Sequence, residues 1–151
     1  MSKININDLK KIREMTGVSV DAIKMALEEA DGKIEQALEL LKKRGVAVAA
    51  KKALRQTGEG VIASYIHATG KIGVLVKVLC ETDFVVRNEQ FKQLGHELAM
   101  HIAAANPQSI KELLSQPYIR NQDITVEDVV NDYIGKLGEN IQIGEFCRFE
   151  I

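Results

Sequence analysis

The stretch Ile72-Gly73-Val74-Leu75-Val76-Lys77-Val78-Leu79, followed after Cys80 by Glu81-Thr82-Asp83-Phe84-Val85-Val86-Arg87-Asn88, decides the fold. Val74, Val76 and Val78 fall on one face of an extended chain and Leu75 and Lys77 on the other, the pattern of a sheet packed by helices on one side and partly open to solvent on the other. Upstream, Val61, Ala63, Tyr65 and His67 alternate with Ile62, Ser64 and Ile66, and Ala68-Thr69-Gly70-Lys71 makes a turn, so a hairpin is expected. Downstream, Asn88 caps a helix that Glu89 begins and Asn106-Pro107 ends, with Phe91, Leu94, Leu98, Ile102 and Ala105 as its apolar stripe. A shorter helix over 110–114 follows. Thr125 with Asp128 has the spacing of a capping box and opens a helix that Gly138 ends. Ile141, Ile143, Glu145, Cys147, Phe149 and Ile151 share one alternation of a last strand, and Gln142, Gly144, Phe146, Arg148 and Glu150 the other. Residues 61–151 therefore form an α+β core.

Toward the N-terminus the period changes from two to helical. Leu9, Ile12 and Met15, then Val20, Ile23 and Leu27, then Ile34, Leu38 and Leu41 mark three helices. Asn7 caps the first, Thr16-Gly17 closes it, Ser19 caps the second, Asp31-Gly32 separates it from the third, and Arg44-Gly45 ends that one. Residues 1–45 are thus expected to form a three-helix bundle, near the lower size limit for independent folding. Residues 46–60 form a linker, a helical extension breaking into a joint at Thr57-Gly58-Glu59-Gly60.

Composition narrows the function. With 46% hydrophobic and 27% charged residues the chain has the make-up of a folded globular protein, and a net charge of −1 gives no basic excess for nucleic acid. No apolar run approaches the ~20 residues of a membrane span. Met1 to Lys11 carries charge early with no apolar segment behind it, which predicts no secretory signal and a cytoplasmic location. Cys80 and Cys147 are too few for a disulfide scaffold, and His67, His96 and His101 lack metal-ligand spacing. Phosphate-binding glycine loops and nucleophile elbows are absent, so no cofactor, metal or catalytic residue is expected and the chain reads as a binding protein. Phe84, where strand turns into helix, has two readings: core residue, or exposed wedge beside Asp83 for insertion into a partner.

Thr82-Asp83-Phe84-Val85, with Arg87-Asn88-Glu89 after it, resembles the T-D-F-V-A-[RK]-N-E signature of the elongation factor Ts family, with Val86 in place of the usual alanine. Met15-Thr16-Gly17, Lys24, Ala26 to Ala30 with Gly32, and Ala49-Ala50-Lys51-Lys52-Ala53 are similar to that family's N-terminal domain and its exit. Ile72 to Val76, Ala99 to Ala103, Leu137-Gly138-Glu139-Asn140-Ile141 and Arg148-Phe149-Glu150 resemble its core. The resemblance implies a UBA-like helical domain followed by a sheet-and-helix core. It also implies a function: guanine-nucleotide exchange on elongation factor Tu, bound first with GDP and then nucleotide-free. Thr82, Asp83, Phe84 and Val85 are then the residues that disturb the partner's Mg²⁺ site, and Thr16, Gly17, Val20 and Asp21 an N-terminal contact. Val20 and Asp21 stand where the family usually has two methionines. A helical segment that many members carry between the regions matching His101 to Pro107 and Gln116-Pro117 is missing, and the core occurs once where larger members duplicate it. That single copy, with the terminal strand at a sheet edge, suggests a homodimer through Cys147 and Phe149. The alternative function is a UBA-type protein-binding adaptor with a structural second domain.

Overall fold

Asn5, rather than Asn7, caps the first helix: its side chain accepts from the Asn7 amide at 2.9 Å, so α1 (Ile6–Thr16) starts one residue before the expected cap. A computed structural model describes residues 4–151; residues 1–3 of the expected bundle lie outside the described residues. Gly17 closes α1 in the left-handed region (φ 66°), Ser19 caps α2 (Val20–Glu29), and Asp31 and Gly32, both at positive φ, turn the chain into α3 (Ile34–Lys52). Ile12, Ile23, Ala26, Leu27, Ala37 and Leu41 form the interior of this bundle.

The expected end of the third helix at Arg44-Gly45 is corrected. The helix continues through Gly45 to Lys52. A glycine inside a helix costs about 1 kcal/mol, and tertiary packing offsets it. Val46, Ala49, Ala50 and Ala53 face Val130 and Ile134 across a shallow cleft, and Ala49 belongs to the core of the second half of the chain. Glu59 and Gly60, expected in the flexible joint, are instead the first residues of a strand.

β1 (Glu59–Ile66), β2 (Ile72–Cys80) and β5 (Gln142–Glu150) form an antiparallel sheet in the order β1-β2-β5. Val74, Val76 and Val78 point inward as the alternation requires, under α5 (Glu89–Ala105). Gly95 lets α5 approach β1, since a Cβ there would lie 2.9 Å from that of Ala63. α4 (Asp83–Val86) precedes α5, and α6 (Ile110–Ser115) follows it. A small hairpin, β3 (Pro117–Tyr118) and β4 (Asn121–Thr125), leads into α7 (Val126–Leu137) with the expected Thr125–Asp128 capping box. α7 lies against α3, α5 and α6.

The last strand is an edge strand but does not keep one alternation. Val76 pairs with Phe146 while Val78 pairs with Ile143, so Gly144 and Glu145 together oppose Lys77 in a β-bulge. Ile143 faces the core, whereas Cys147 and Phe149 face outward, and the expectation that these three share a face is overturned. Gly144 fits the bulge because a Cβ would sit 3.0 Å from Lys77 Cβ.

Candidate partner-binding site

β2 ends at Cys80, and the chain turns through Glu81 and Thr82 into α4, the single helical turn that carries the signature. Within that turn the side chains divide. Val85 is 8% exposed and packs into the core, while Phe84 is 77% exposed. The core reading of Phe84 is thereby excluded; Val85 anchors the turn from below instead of lining its surface. Asp83 and Arg87, one helical turn apart, form an exposed ion pair at 2.9 Å on the same turn.

The corner is held by one carboxylate, that of Glu139, from the turn after α7. Glu139 Oε1 accepts from the Glu81 and Thr82 backbone amides at 3.1 and 3.0 Å, and its Oε2 accepts from the Thr82 hydroxyl at 2.5 Å. In return Glu81 Oε1 accepts from the Asn140 amide at 2.9 Å and lies 3.6 Å from Arg55 Nη1. Asn140, 2% exposed, donates its side-chain amide to the carbonyl of Arg55 at 2.9 Å. Cys80 lies beneath; burial, with the negative charge of Glu139 adding to it, pushes its thiol up to about 11. It is a buried thiol that donates to the Thr82 carbonyl at 3.3 Å.

The N-terminal candidates lie on the connection between α1 and α2. The Thr16 hydroxyl donates to the Ile12 carbonyl at 2.7 Å, Val20 is half-buried and Asp21 exposed in the first turn of α2. Gly17 is set against α7: a Cβ there would lie 3.2 Å from Lys136 Cε. Thr16 and Gly17 rim a groove of about 500 Å³ between the bundle and α7, floored by Leu38, Leu41 and Val46. Lys136, in the last turn of α7, meets the N-terminal segment, and Glu139, just beyond that turn, holds the Phe84 corner. The C-terminal end of α7 and the turn after it thus contact both candidate segments. Cys147 and Phe149 form a third region with Ile66, Leu75 and Ile151, a shallow apolar depression on the outer face of the sheet.

The core also holds a buried polar network that was not among the sequence expectations. Glu97, within α5, accepts from the Tyr118 hydroxyl at 2.8 Å and from Arg120 at 3.0 Å. The fully buried His101, one turn further on, has Nε2 at 2.9 Å from Gln116 Oε1 and accepts at Nδ1 from the Ile119 amide at 3.3 Å. Both contacts are met only by the neutral ring, and burial lowers its pKa below the usual histidine value. The network ties the β3–β4 hairpin to α5, away from the Phe84 corner. Its signal was present: Glu97 lies one position before Leu98, on the buried side of the helix.

Among the described residues no helix is long and apolar enough to cross a membrane. The family description "Elongation factor TS" matches residues 81–151, from the corner to the end of the last strand. Similarity to curated proteins extends over the whole chain. The protein named elongation factor Ts of Koribacter versatilis is 41% identical across 98% of this chain and 88% of its own length. That of Thermosipho melanesiensis is 38% identical across 95% and 96%, and that of Oleidesulfovibrio alaskensis 39% identical across 100% and 99%. These alignments run over 193, 188 and 196 positions against a chain of 151 residues, so the relatives carry segments with no counterpart here. With identity above a third over nearly its full length, and with the signature corner inside the matched region, the chain belongs to the elongation factor Ts family of translation elongation factors.

Proposed function

We propose that this chain is a guanine-nucleotide exchange factor acting in the cytoplasm on elongation factor Tu. It binds the GDP form, promotes GDP release and stabilises the nucleotide-free state. The observation that carries this reading is the exposure of Phe84 on a corner clamped from behind. A large aromatic in water has no stabilising role in the free protein, and an exposed aromatic on a rigid base is the geometry of an interface anchor.

The partner's hold on GDP depends on a Mg²⁺ that neutralises phosphate charge. Insertion of Phe84, with Thr82, Asp83 and Val85 shaping and supporting the turn, displaces the segment that orders this ion. GDP then loosens without any covalent step, so the chain acts by binding and is not an enzyme. The factor binds the nucleotide-free state better than the GDP state, and linkage requires GDP and factor to weaken each other equally. The UBA-like bundle, residues up to 45, serves as a second contact through Thr16, Gly17, Val20 and Asp21, and residues 61–151 form the core that carries the wedge. An adaptor function would leave the exposed Phe84 corner without a use.

The experiment is release of a fluorescent GDP from elongation factor Tu. Substoichiometric protein is expected to accelerate it, and Phe84→Ala to slow it strongly while the core stays folded.

The outer face of the sheet supports a homodimer as the working form. Leu75 and Phe149 are 50% and 75% exposed beside Cys147, on the side of the sheet that no helix covers. Burial of this face between two copies removes apolar area from water. Sedimentation in reductant at micromolar concentration is expected to give a dimer that Phe149→Asp dissociates and Cys147→Ser does not. A single 16.7 kDa species from the unaltered chain would contradict it.

A further inference from the structure

We infer that Glu139 is a positioning residue for exchange: its carboxylate fixes the backbone from which Phe84 projects, and so sets how much of the contact becomes displacement in the partner. The inference rests on the exchange reading. Glu139 makes no hydrogen bond or ion pair with a residue of α4; it acts on the two residues before the turn. One carboxylate receives three donors, the amides of Glu81 and Thr82 and the Thr82 hydroxyl. Hydrogen bonds to an ionised acceptor are shorter and stronger than neutral ones.

A second observation points the same way. Thr82 occupies the N-cap of α4, where a threonine hydroxyl ordinarily accepts from the first turn of the helix, yet it makes no such bond. Its hydroxyl is turned back to Glu139. The local cap has been exchanged for a long-range tie to the turn after α7. That turn is itself held: Asn140 is secured by Glu81 and by the carbonyl of Arg55, and Lys52 donates to the Gly138 carbonyl at 2.7 Å. The base of the wedge is thereby fixed to the end of α3 and the end of α7 together. A wedge on a yielding base would spend its contact energy on ordering itself, whereas a preorganised one transmits it.

The test uses the full chain with Glu139→Ala and Glu139→Gln. The glutamine keeps an oxygen for both amides, and its NH₂ can donate to the Thr82 hydroxyl. In the free protein, Glu139→Ala is expected to speed amide hydrogen exchange at Glu81 and Thr82 at least tenfold, with Glu139→Gln near wild type. In fluorescent-GDP release from elongation factor Tu, Glu139→Ala is expected to lower the rate at saturating factor at least tenfold. The half-saturating concentration should change less than threefold, and Glu139→Gln should recover most of the rate. The double variant with Phe84→Ala should be no slower than Phe84→Ala alone. Unchanged amide protection in Glu139→Ala, a full saturating rate, or additive losses in the double variant would each overturn the inference while leaving the exchange reading intact. Failure of the unaltered chain to release GDP would overturn both.

Discussion

The helical bundle and the sheet-and-helix core fill their interiors by different means. Every buried residue of the bundle's cluster is apolar, and its turns are set locally by Asn5, Gly17, Ser19 and Gly32. The core buries Glu97, His101 and Asn140 as well, and among the described residues no buried side-chain nitrogen or oxygen is left unpaired. Those polar groups hold loops: Glu97 and His101 the β3–β4 hairpin, Asn140 with Glu139 the Phe84 corner. An apolar interior orders helices with little demand on what joins them, while buried hydrogen bonds fix the connections. The candidate wedge sits in the part of the molecule where the connections are fixed.

Core truncations should separate the two regions most sharply. Phe91→Ala removes the largest fully buried side chain and is expected to cost about 3–5 kcal/mol, unfolding the sheet and α5 together. Leu27→Ala in the bundle costs about 2–5 kcal/mol but should melt the bundle while the core's amide protection survives. Residue-resolved hydrogen exchange distinguishes them, and loss of core protection in Leu27→Ala would mean that the two regions unfold as one.

Acid should also divide them, because all three histidines lie in the core. Burial lowers the pKa of His101, so the unfolded chain takes up this proton first. The stabilisation is complete above about pH 6.5 and is lost as pH falls below it, by at most about 1.4 kcal/mol per pH unit. Denaturant titrations between about pH 6.5 and 5 are expected to show this in the core transition and not in the bundle, and His101→Gln should flatten the core's slope.

The smallest effect concerns the join between the regions. Gly45 is helical, with open space where a Cβ would go, so Gly45→Ala should stabilise the chain by about 0.5–1 kcal/mol. Destabilisation would mean that Gly45 takes the left-handed conformation of a helix end. Thermal unfolding followed by circular dichroism decides it.

Much of this was legible in the sequence, and the exceptions have a common cause. The alternation of Val74, Val76 and Val78, the stripe on α5, the Thr125–Asp128 box and the closures at Gly17 and Gly138 are local signals, and each is met. A helical extension beyond Gly45 was legible, but its continuity with the third helix was not, because packing against α7 outweighs a local breaker. Nor was the bulge at Gly144, since an extra residue leaves the alternation intact on either side while reversing its face. The β3–β4 hairpin begins at a proline and is too short for a period to register. For the site, the signature residues were legible, and the exposure of Phe84 stood as one of two readings. The Glu139 clamp was not, because it joins residues 57 and 58 positions apart that share no pattern.

The proposed driver of nucleotide release is the clamped, exposed Phe84. It is tested most directly by the rate of fluorescent-GDP release from elongation factor Tu, comparing the unaltered chain with Phe84→Ala. Loss of an inserted aromatic anchor costs about 2 kcal/mol or more, so release should slow roughly thirtyfold while circular dichroism and core amide protection remain those of the unaltered chain. A folded Phe84→Ala that releases GDP as fast as the unaltered chain would mean that Phe84 is not the wedge.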